Sequence, residues 1–274
     1  RRGRRMSRRR LDAELVRRKL ARSREHAAEL IAGGRVRVGG QVAAKAATQV
    51  ETGAAIVVDT ADAGPEYVSR GGHKLAGALE AFGDLKTAGR VCLDAGASTG
   101  GFTDVLLRAG AARVYAVDVG RGQLAWSLRT DDRVTVLERV NVRDLTPEML
   151  GQPEAAPPDL VVGDLSFISL RLVLEPLRRC AAPEADFALM VKPQFEVGKD
   201  KVGPGGVVRD PQLRADAVRG VAEHAAGLGL GVLGVTASPL PGPAGNVEYF
   251  LWLRGDAPPL READLRRAVE EGPR

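Results

Sequence analysis

The feature that most constrains the fold of this chain is a regular alternation of short apolar runs with helical stretches after about residue 72. The apolar runs have the length of strands, and strands are predicted near 90–95, 112–118, 134–137, 159–164, 186–192, 230–237 and 247–253. Between most of these strands the apolar residues recur at helical spacing, which predicts helices at 74–82, 101–109, 122–129, 169–181 and 211–227. Strands that alternate with helices form a mostly parallel sheet covered on both faces, so we predict a doubly wound α/β domain with a seven-stranded sheet.

The first 60 residues have a different pattern and carry most of the positive charge. They contain 15 Lys and Arg against 6 Asp and Glu, a net charge of +9, whereas the remaining residues contain 25 against 29, a net charge of −4. Leucines at helical spacing from Leu11, a helix capped by Ser23 and a hairpin around Gly39-Gly40 predict a small α+β unit. Such a basic unit favours a polyanion partner, although a merely solvated basic surface stays open. The candidate RNA-binding residues are Arg10, Arg17, Arg18, Arg22, Arg24, Arg35 and Lys45.

A linker is predicted between the two patterns, because the segment DTADAGPEYVSRGG (59–72) is rich in Gly, Pro and Asp. We therefore expect an RNA-binding domain at 1–60, an interdomain linker at 61–70 and the larger α/β domain at 71–274. Met6 resembles a natural start, so the residues before it are expected to lie outside the natural chain, and the first residues are expected to be disordered.

The composition bears on location and on metal binding. No apolar stretch approaches the roughly 18 residues of a membrane-spanning helix, and the N-terminus has no apolar signal region, which predicts a cytoplasmic protein without stable membrane association. Cys92 and Cys180 are expected to be buried small hydrophobes. The three histidines are scattered along the sequence, so no metal site is predicted. We expect a monomer.

A glycine-rich turn after the first predicted strand indicates a cofactor site. The stretch VCLDAGASTGGFTDVLL (91–107) ends a strand at Asp94 and begins a helix, with glycines that let a ligand approach the backbone closely. A carboxylate beside this turn would repel a pyrophosphate but attract an ammonium, and Asp118 ends the next strand where an acidic residue can bind ribose hydroxyls. This favours S-adenosylmethionine over NAD. The candidate cofactor-binding residues are Asp94, Gly96, Ala97, Ser98, Thr99, Gly100, Gly101, Phe102 and Asp118.

Two lysines and two carboxylates are predicted to meet at the carboxyl ends of the strands, where ligands bind in such sheets. Asp164 and Lys192 each end an apolar strand, and Pro193 fixes the backbone after Lys192. Glu248 begins a returning antiparallel strand, and Lys74 lies in the first turn of a helix that starts at the same edge. Taken alone, Lys192 fits better as a rim lysine that reaches solvent, and only the other three residues favour a functional role.

These residues carry a family resemblance. Lys74, Asp164, Lys192 and Glu248 match the K-D-K-E tetrad of the FtsJ-like ribose 2′-O-methyltransferases. The phrases SRGGHKL, CLDAGASTGGFTDVLL, GQLAWSLR, DLSFISL, VKPQFEVGK and PLPGPAGNVEYFLW resemble the TlyA family, once called hemolysins. The resemblance implies an S4 RNA-binding domain joined to a Rossmann-like, S-adenosylmethionine-dependent methyltransferase that acts on cytidine ribose in 16S and 23S rRNA, with ribosomal subunits as partners. It also implies a link to capreomycin susceptibility and an influence of the linker, around PEYV (65–68), on cofactor binding.

The four residues receive distinct expected roles. A lysine takes up a proton only in its uncharged form, and because the free side chain has a pKa of about 10.4, a catalytic lysine needs burial or a second cation nearby. We expect Lys192 to act as the base and Asp164 to orient it, with Lys74 and Glu248 positioning substrate and lysine. Base methylation fits less well, since no N/D-P-P-aromatic motif and no cysteine lies at this edge.

Other functions stay open at this stage. Phe167 and Phe195 are expected in the core, with stacking on a flipped base as the alternative. The alternatives to the enzyme are a non-catalytic S4-type RNA-binding protein and a membrane-lytic hemolysin, although no amphipathic or spanning segment supports the second.

Overall fold

The computed structural model describes residues 7–59 and 66–273. The chain divides into two compact units, Arg1–Glu66 and Tyr67–Arg274, each with its own core. The expected disorder of the first residues and the greater part of the expected linker concern positions 1–6 and 60–65, which lie outside the described residues.

The N-terminal unit is a small α+β structure. Its elements are β1 (Arg8–Arg10), α1 (Leu11–Arg17), α2 (Arg24–Ala32), β2 (Val36–Val38), β3 (Gln41–Val42), β4 (Gln49–Glu51) and β5 (Ile56–Val58). Strands β3, β2 and β5 form one antiparallel sheet in that order, and β1 pairs with β4. The predicted cap of α2 is confirmed, since Ser23 Oγ accepts a hydrogen bond from the backbone of His26 at 3.1 Å. The predicted hairpin at Gly39-Gly40 is also confirmed, with both glycines at positive φ.

The C-terminal unit contains the predicted seven-stranded sheet. Its strands are β6 (Val91–Ala95), β7 (Arg113–Val117), β8 (Val134–Leu137), β9 (Leu160–Gly163), β10 (Asp186–Val191), β11 (Gly231–Ala237) and β12 (Tyr249–Arg254). They lie in the order β11-β12-β10-β9-β6-β7-β8. Strands β6 to β10 run parallel, and β12 runs antiparallel to both of its neighbours. The mostly parallel, doubly wound fold is therefore confirmed.

Helices cover both faces of this sheet. They are α3 (Gly71–Ala81), α4 (Gly101–Arg108), α5 (Trp126–Arg129), α6 (Leu174–Cys180), α7 (Pro211–Gly227) and α8 (Glu262–Glu271). Consecutive strand residues face opposite layers, so Cys92 belongs to the core under α3 and α4, whereas Leu93 belongs to the core under α6 and α7.

Helix bounds differ from the sequence prediction in three places. The helix predicted at 122–129 is confined to α5, because Gly122 has a φ of +70° and lies outside the helical region. The helix predicted at 169–181 is a 3₁₀ turn, Leu170–Leu172, followed by α6. Helix α8 was not predicted, since only Leu265 and Ala268 of its highly charged sequence are buried.

Both cysteines are buried, as predicted. Burial raises the pKa of the Cys92 thiol to about 12 and that of the Cys180 thiol to about 11, so neither is poised to act as a nucleophile at neutral pH. Over residues 7–59 and 66–273, no helix combines the length and the apolar character needed to cross a bilayer.

Candidate active site

Two ion pairs lie together at the carboxyl edge of the parallel strands. Lys74 projects from the first turn of α3, and its Nζ lies 3.1 Å from Oε1 of Glu248, the residue before β12. Lys192 follows β10, and its Nζ contacts Oδ1 of Asp164, the residue after β9. The same Nζ donates a hydrogen bond to Ser166 Oγ at 3.0 Å. The structure thus brings together all four predicted charged residues, as two lysine–carboxylate pairs.

The strand register explains why residues so distant in sequence meet. In the antiparallel pair of β10 and β12, Val191 lies opposite Tyr249, so the next position beyond this pair sets Lys192 beside Glu248. In the parallel pair of β9 and β10, Gly163 lies opposite Leu189, so both strands end at the same edge, with β10 two residues longer than β9 there. The sheet therefore delivers three of the four side chains to one edge.

Three of these four charged residues are buried, and the side chain of Asp164 is partly exposed, at 24%. Lys74 and Lys192 are each only 6% exposed, and Glu248 is 1% exposed. A buried ion is costly unless it is paired and hydrogen-bonded, and each lysine here has a carboxylate partner. The interpretation of Lys192 as a rim lysine that reaches solvent is wrong, because its cationic end is held inside the edge by Asp164 and Ser166.

Gln194 joins the region of Lys192 to the second pair. Its Nε2 donates to Glu248 Oε2 at 3.0 Å, while its buried Oε1 has no hydrogen-bond partner in the part of the chain that the structure describes. Neither Gln194 nor Ser166 was among the predicted site residues. An uncharged amide or hydroxyl beside a lysine has no signal of its own in a single sequence.

The loop before β12 encloses the carboxylate of Glu248. A Cβ at Gly242 would lie 2.8 Å from Glu248 Oε2, so only glycine allows the loop this close. The loop is held in turn by Asn246, which is 1% exposed and whose side chain accepts from Val208 N at 2.9 Å and donates to the Gly206 carbonyl at 2.8 Å. Glu248 is consequently fixed by its loop as well as by its strand.

The glycine-rich turn after β6 lies beside these pairs. Asp94 is fully buried, and its Oδ2 accepts a hydrogen bond from Thr103 Oγ1 of α4 at 2.7 Å. The other oxygen, Oδ1, has no hydrogen-bond partner among the described residues. Burial raises the pKa of the Asp94 carboxyl to about 7, against the effect of the Thr103 hydrogen bond. The site therefore contains a carboxylate that is ready to accept a donor.

The turn itself requires glycine. Gly96 has a φ of +83°, and a Cβ there would lie 2.6 Å from the backbone oxygen of Asp164. Gly100 has a φ of +106° and lies directly before α4, and a Cβ there would lie 2.3 Å from Leu128. A Cβ at Gly101 would lie 2.6 Å from the backbone nitrogen of Gly72. Backbone from α3, from α4 and from the end of β9 thus converges on one turn.

A small pocket adjoins this turn. Asp118, after β7, accepts hydrogen bonds from the backbone of Ser98 and of Gly120, both at 2.7 Å. The pocket is lined by Ala97, Ser98, Asp118, Gly120, Gln123 and Glu138, among others. Asp118 therefore both shapes the turn and faces the pocket.

The remaining predicted cofactor residues divide into two groups. Thr99 is exposed on the turn beside Ser98, where a ligand could reach it. Phe102 is 4% exposed and stacks on Phe250 with ring centroids 6.0 Å apart, so it packs in the core.

The candidate RNA-binding residues of the N-terminal unit are engaged to different degrees. Arg10 and Arg24 bind the buried carboxylate of Asp12, and Arg17 and Arg18 bind the buried carboxylate of Glu14. The hydrogen bonds from the two arginines lower the pKa of Glu14 to about 2. Four of the six predicted arginines are therefore also part of the internal structure around α1.

Arg18 and Arg35 are tied to backbone as well. Arg18 donates to the carbonyls of Ala54 and Thr52 at 2.7 and 3.0 Å, and Arg35 donates twice to the carbonyl of Asp59. Arg22 lies beside His26, and Lys45 is exposed. The strand β1 adds Arg8 and Arg9, both exposed, which the sequence pattern had not singled out.

The expectation that Phe167 is a core residue is wrong. Phe167 is 90% exposed and has a φ of +64°, a backbone conformation that non-glycine residues rarely adopt. Phe195 is half-buried, and its ring centroid lies 5.2 Å from that of Phe167. The short apolar run SFISL does not reveal that this aromatic side chain is exposed, strained and close to the two ion pairs.

The described residues contain no group of three or more His, Cys, Asp or Glu that could hold a metal ion.

Comparison with known proteins identifies relatives of the whole chain. Residues 67–255 match the FtsJ-like methyltransferase family, and residues 9–56 match the S4 domain. The chain is 61% identical over 270 residues to a Mycobacterium tuberculosis protein described as 16S/23S rRNA (cytidine-2′-O)-methyltransferase TlyA, with 96% of this chain and 98% of that protein covered. It is 38% identical over 229 residues to Hemolysin A of Brachyspira hyodysenteriae, with 83% and 92% covered.

A solved structure also matches over nearly the full length. A protein from Streptococcus thermophilus described as a hemolysin is 35% identical, with a TM-score of 0.75 and with 97% of this chain and 96% of that chain covered. The agreement in sequence and in fold extends through both the basic N-terminal unit and the sheet that carries the two ion pairs.

Proposed function

The chain belongs to the TlyA family, in which an S4 domain precedes an FtsJ-like methyltransferase domain, and from this premise we propose that it methylates the 2′-hydroxyl of cytidine in ribosomal RNA. The observation that carries the proposal is the pair of buried lysine–carboxylate contacts beside a glycine turn. A hydroxyl nucleophile needs a positioned base, and a donor site next to that base keeps the two reactants together.

The residues of the glycine turn fit S-adenosylmethionine. This molecule carries an ammonium, a ribose with two hydroxyls and an adenine. The unpartnered Oδ1 of Asp94 offers an acceptor for the ammonium, and the narrow approach at Gly96 suits a ligand that lies against bare backbone. Asp118 and Glu138 line the adjoining pocket, where carboxylates can accept from ribose hydroxyls. When bound, S-adenosylmethionine supplies an electrophilic methyl group on a sulfonium.

Lys192 is assigned as the base in this proposal. An ammonium has three donors, and two of them are directed to Asp164 and Ser166, so the third can meet a substrate hydroxyl. In its uncharged form the same nitrogen can accept the hydroxyl proton as the ribose oxygen attacks. Asp164 and Ser166 fix where this nitrogen lies, and the resulting alkylammonium stays paired with the Asp164 carboxylate.

Lys74 and Glu248 form the second half of the proposed machinery. Glu248 accepts from Lys74 and from Gln194, so its carboxylate fixes the Lys74 ammonium at the same edge of the sheet as Lys192. A cation held there can stabilise negative charge that develops on the ribose oxygen.

The start of the C-terminal unit offers a route by which the linker could affect the cofactor turn. The backbone of Val68 donates to Asp104 Oδ2 of α4 at 2.9 Å, and Arg108 binds the other oxygen of that carboxylate. Helix α4 begins at the glycine turn. A change in the linker can therefore shift the helix that frames the proposed cofactor site.

The affinity for S-adenosylmethionine should rise with pH through neutrality. Because the Asp94 carboxyl has a pKa of about 7, it is largely protonated at pH 6 and ionised at pH 8, and only the ionised form pairs with an ammonium. We expect the affinity to gain up to about tenfold per pH unit below 7 and to level off above it. Calorimetry with S-adenosylhomocysteine, which carries the same ammonium, measures this. Asp94→Asn should bind more weakly with a flat profile, and a flat profile in the unaltered protein would contradict the assignment.

The proposed activity is tested with the purified chain, labelled S-adenosylmethionine and separate small and large ribosomal subunits. We expect label in rRNA that maps to the 2′-oxygen of cytidine. Label on a base, or none in either subunit while S-adenosylmethionine binds, would overturn the proposal. The domain bounds, the cytoplasmic location, the monomeric state and the link to capreomycin susceptibility stay predictions.

A further inference from the structure

One buried carboxylate near the site is used by none of the steps above. Glu196 lies four positions after Lys192, and its side chain is only 2% exposed. Its Oε2 accepts from Ser169 Oγ at 2.6 Å, and its Oε1 accepts from the backbone of Leu170 at 2.8 Å. A buried carboxylate is retained only where such contacts offset its desolvation.

These contacts join the two loops that carry the Lys192 pair. We call residues 164–170 the β9 loop and residues 192–197 the β10 loop. The β9 loop carries Asp164 and Ser166, which hold the Lys192 ammonium, and Glu196 of the β10 loop holds the far end of the β9 loop. Arg171 also binds Glu196 on the solvent side. Its Nη2 donates to the Glu196 carbonyl at 3.1 Å, and its Nε lies 3.5 Å from the carboxylate.

The β9 loop needs to be held. Phe167, at its centre, has a φ of +64° and is almost fully exposed, so its own side chain contributes little burial to offset an unfavourable backbone conformation. The sheet fixes the backbone of Asp164, whose amide donates to the carbonyl of Ala95 at 3.1 Å. Beyond that point, Glu196 at one end and the ring of Phe195 against Phe167 tie the loop to its neighbour.

We propose that Glu196 is a positioning residue, which clamps the strained β9 loop onto the β10 loop so that Ser166 and Asp164 meet Lys192 in one fixed arrangement. The clamp itself is inferred from the hydrogen bonds alone. Its expected effect on the reaction rate rests on the proposed function. Without the carboxylate the β9 loop relaxes at Phe167, Ser166 moves away from Lys192, and the base loses part of its orientation.

The test compares Glu196→Ala with Glu196→Gln in the full chain. The amide of Gln can accept from Leu170 and donate to Ser169, so it keeps both clamp contacts, whereas Ala removes them. The matched control is Glu175→Ala, which removes an exposed carboxylate from α6. Hydrogen exchange of peptides that span 164–172 measures how firmly the β9 loop is held. The rate of single-turnover methyl transfer, divided by the number of S-adenosylmethionine-binding sites, measures the effect on the reaction.

Glu196→Ala should speed exchange in 164–172 and lower the rate per binding site by about 10- to 100-fold, with the cofactor Kd unchanged within about twofold. Glu196→Gln should restore the slow exchange of the unaltered protein and bring the rate to within about threefold of the control.

If Glu196→Ala does not fold, Ser169→Ala removes one of the two hydrogen bonds and should change the exchange and the rate in the same direction. An unchanged exchange pattern in the folded variant, or a rate per site equal to that of Glu175→Ala, would overturn the clamp. Failure of the control itself to methylate rRNA would count against the proposed function instead, and the exchange result would still decide the inference.

Discussion

Lys192→Ala should lower the rate of methyl transfer by about 10²–10⁴-fold, the range expected when a general base is removed. The physical reason is that no other described side chain is held where Lys192 Nζ lies, between Asp164 and Ser166. Cofactor affinity should stay within about threefold, because the turn around Gly96 is untouched. Single-turnover transfer from labelled S-adenosylmethionine to ribosomal subunits measures the first effect, and calorimetry measures the second.

Two further variants distinguish whether Lys192 acts by accepting a proton or by its positive charge. Lys192→Arg keeps a cation but cannot give up its proton, so it should be as inactive as the alanine variant. Lys86→Ala removes an exposed lysine from the connection that leads to β6, and it should leave the rate unchanged. Substantial turnover by Lys192→Arg would show that Lys192 acts through its charge and that the proton goes elsewhere.

Removal of residues 1–60 should weaken binding to ribosomal subunits by about a hundredfold at 0.15 M salt. For each phosphate that the protein neutralises, the affinity at 0.15 M salt is about 0.7 log units higher than the affinity at 1 M salt. The loss of three such contacts therefore corresponds to about a hundredfold. The slope of log affinity against log salt should also flatten by about 0.7–0.9 for each phosphate that is no longer neutralised. Filter binding over a salt series measures both, and an unchanged slope would mean that the methyltransferase domain holds the RNA by itself.

The arginines suited to a finer test are not those that the sequence pattern favoured. Replacing Arg18 would leave the buried Glu14 with one partner fewer and would free two backbone carbonyls, so a weaker complex could reflect a damaged fold. Arg8→Gln with Arg9→Gln removes exposed charge from β1 at little cost to stability. Arg266→Gln, exposed on α8, is the matched control.

Much of the fold was predictable because strand and helix periods are clear in the C-terminal unit. The strand at 134–137 has the predicted bounds, since turn residues limit it on both sides. The end of β10 followed from Pro193, which cannot continue a ladder. The position of Glu248 followed from topology, because a strand that returns antiparallel must begin at the edge where its neighbour ends.

What the sequence did not reveal depends on non-local contacts. Phe167 is exposed, has a positive φ and contacts the ring of Phe195, and a single apolar run does not show this. The two backbone carbonyls that Arg18 binds lie more than 30 residues away in sequence. Gln194 and Glu196 follow Lys192 without a sequence signal of their own, and their roles come from the residues that they contact across the sheet edge.

The contact between Lys74 and Glu248 spans 174 positions of the chain, and this separation sets the order of events during synthesis. The small basic unit is complete before any part of the sheet has been translated. The acidic end of the ion pair emerges only with the last strand, which inserts between two strands already made. The basic unit can therefore fold before the residues of both ion pairs are present.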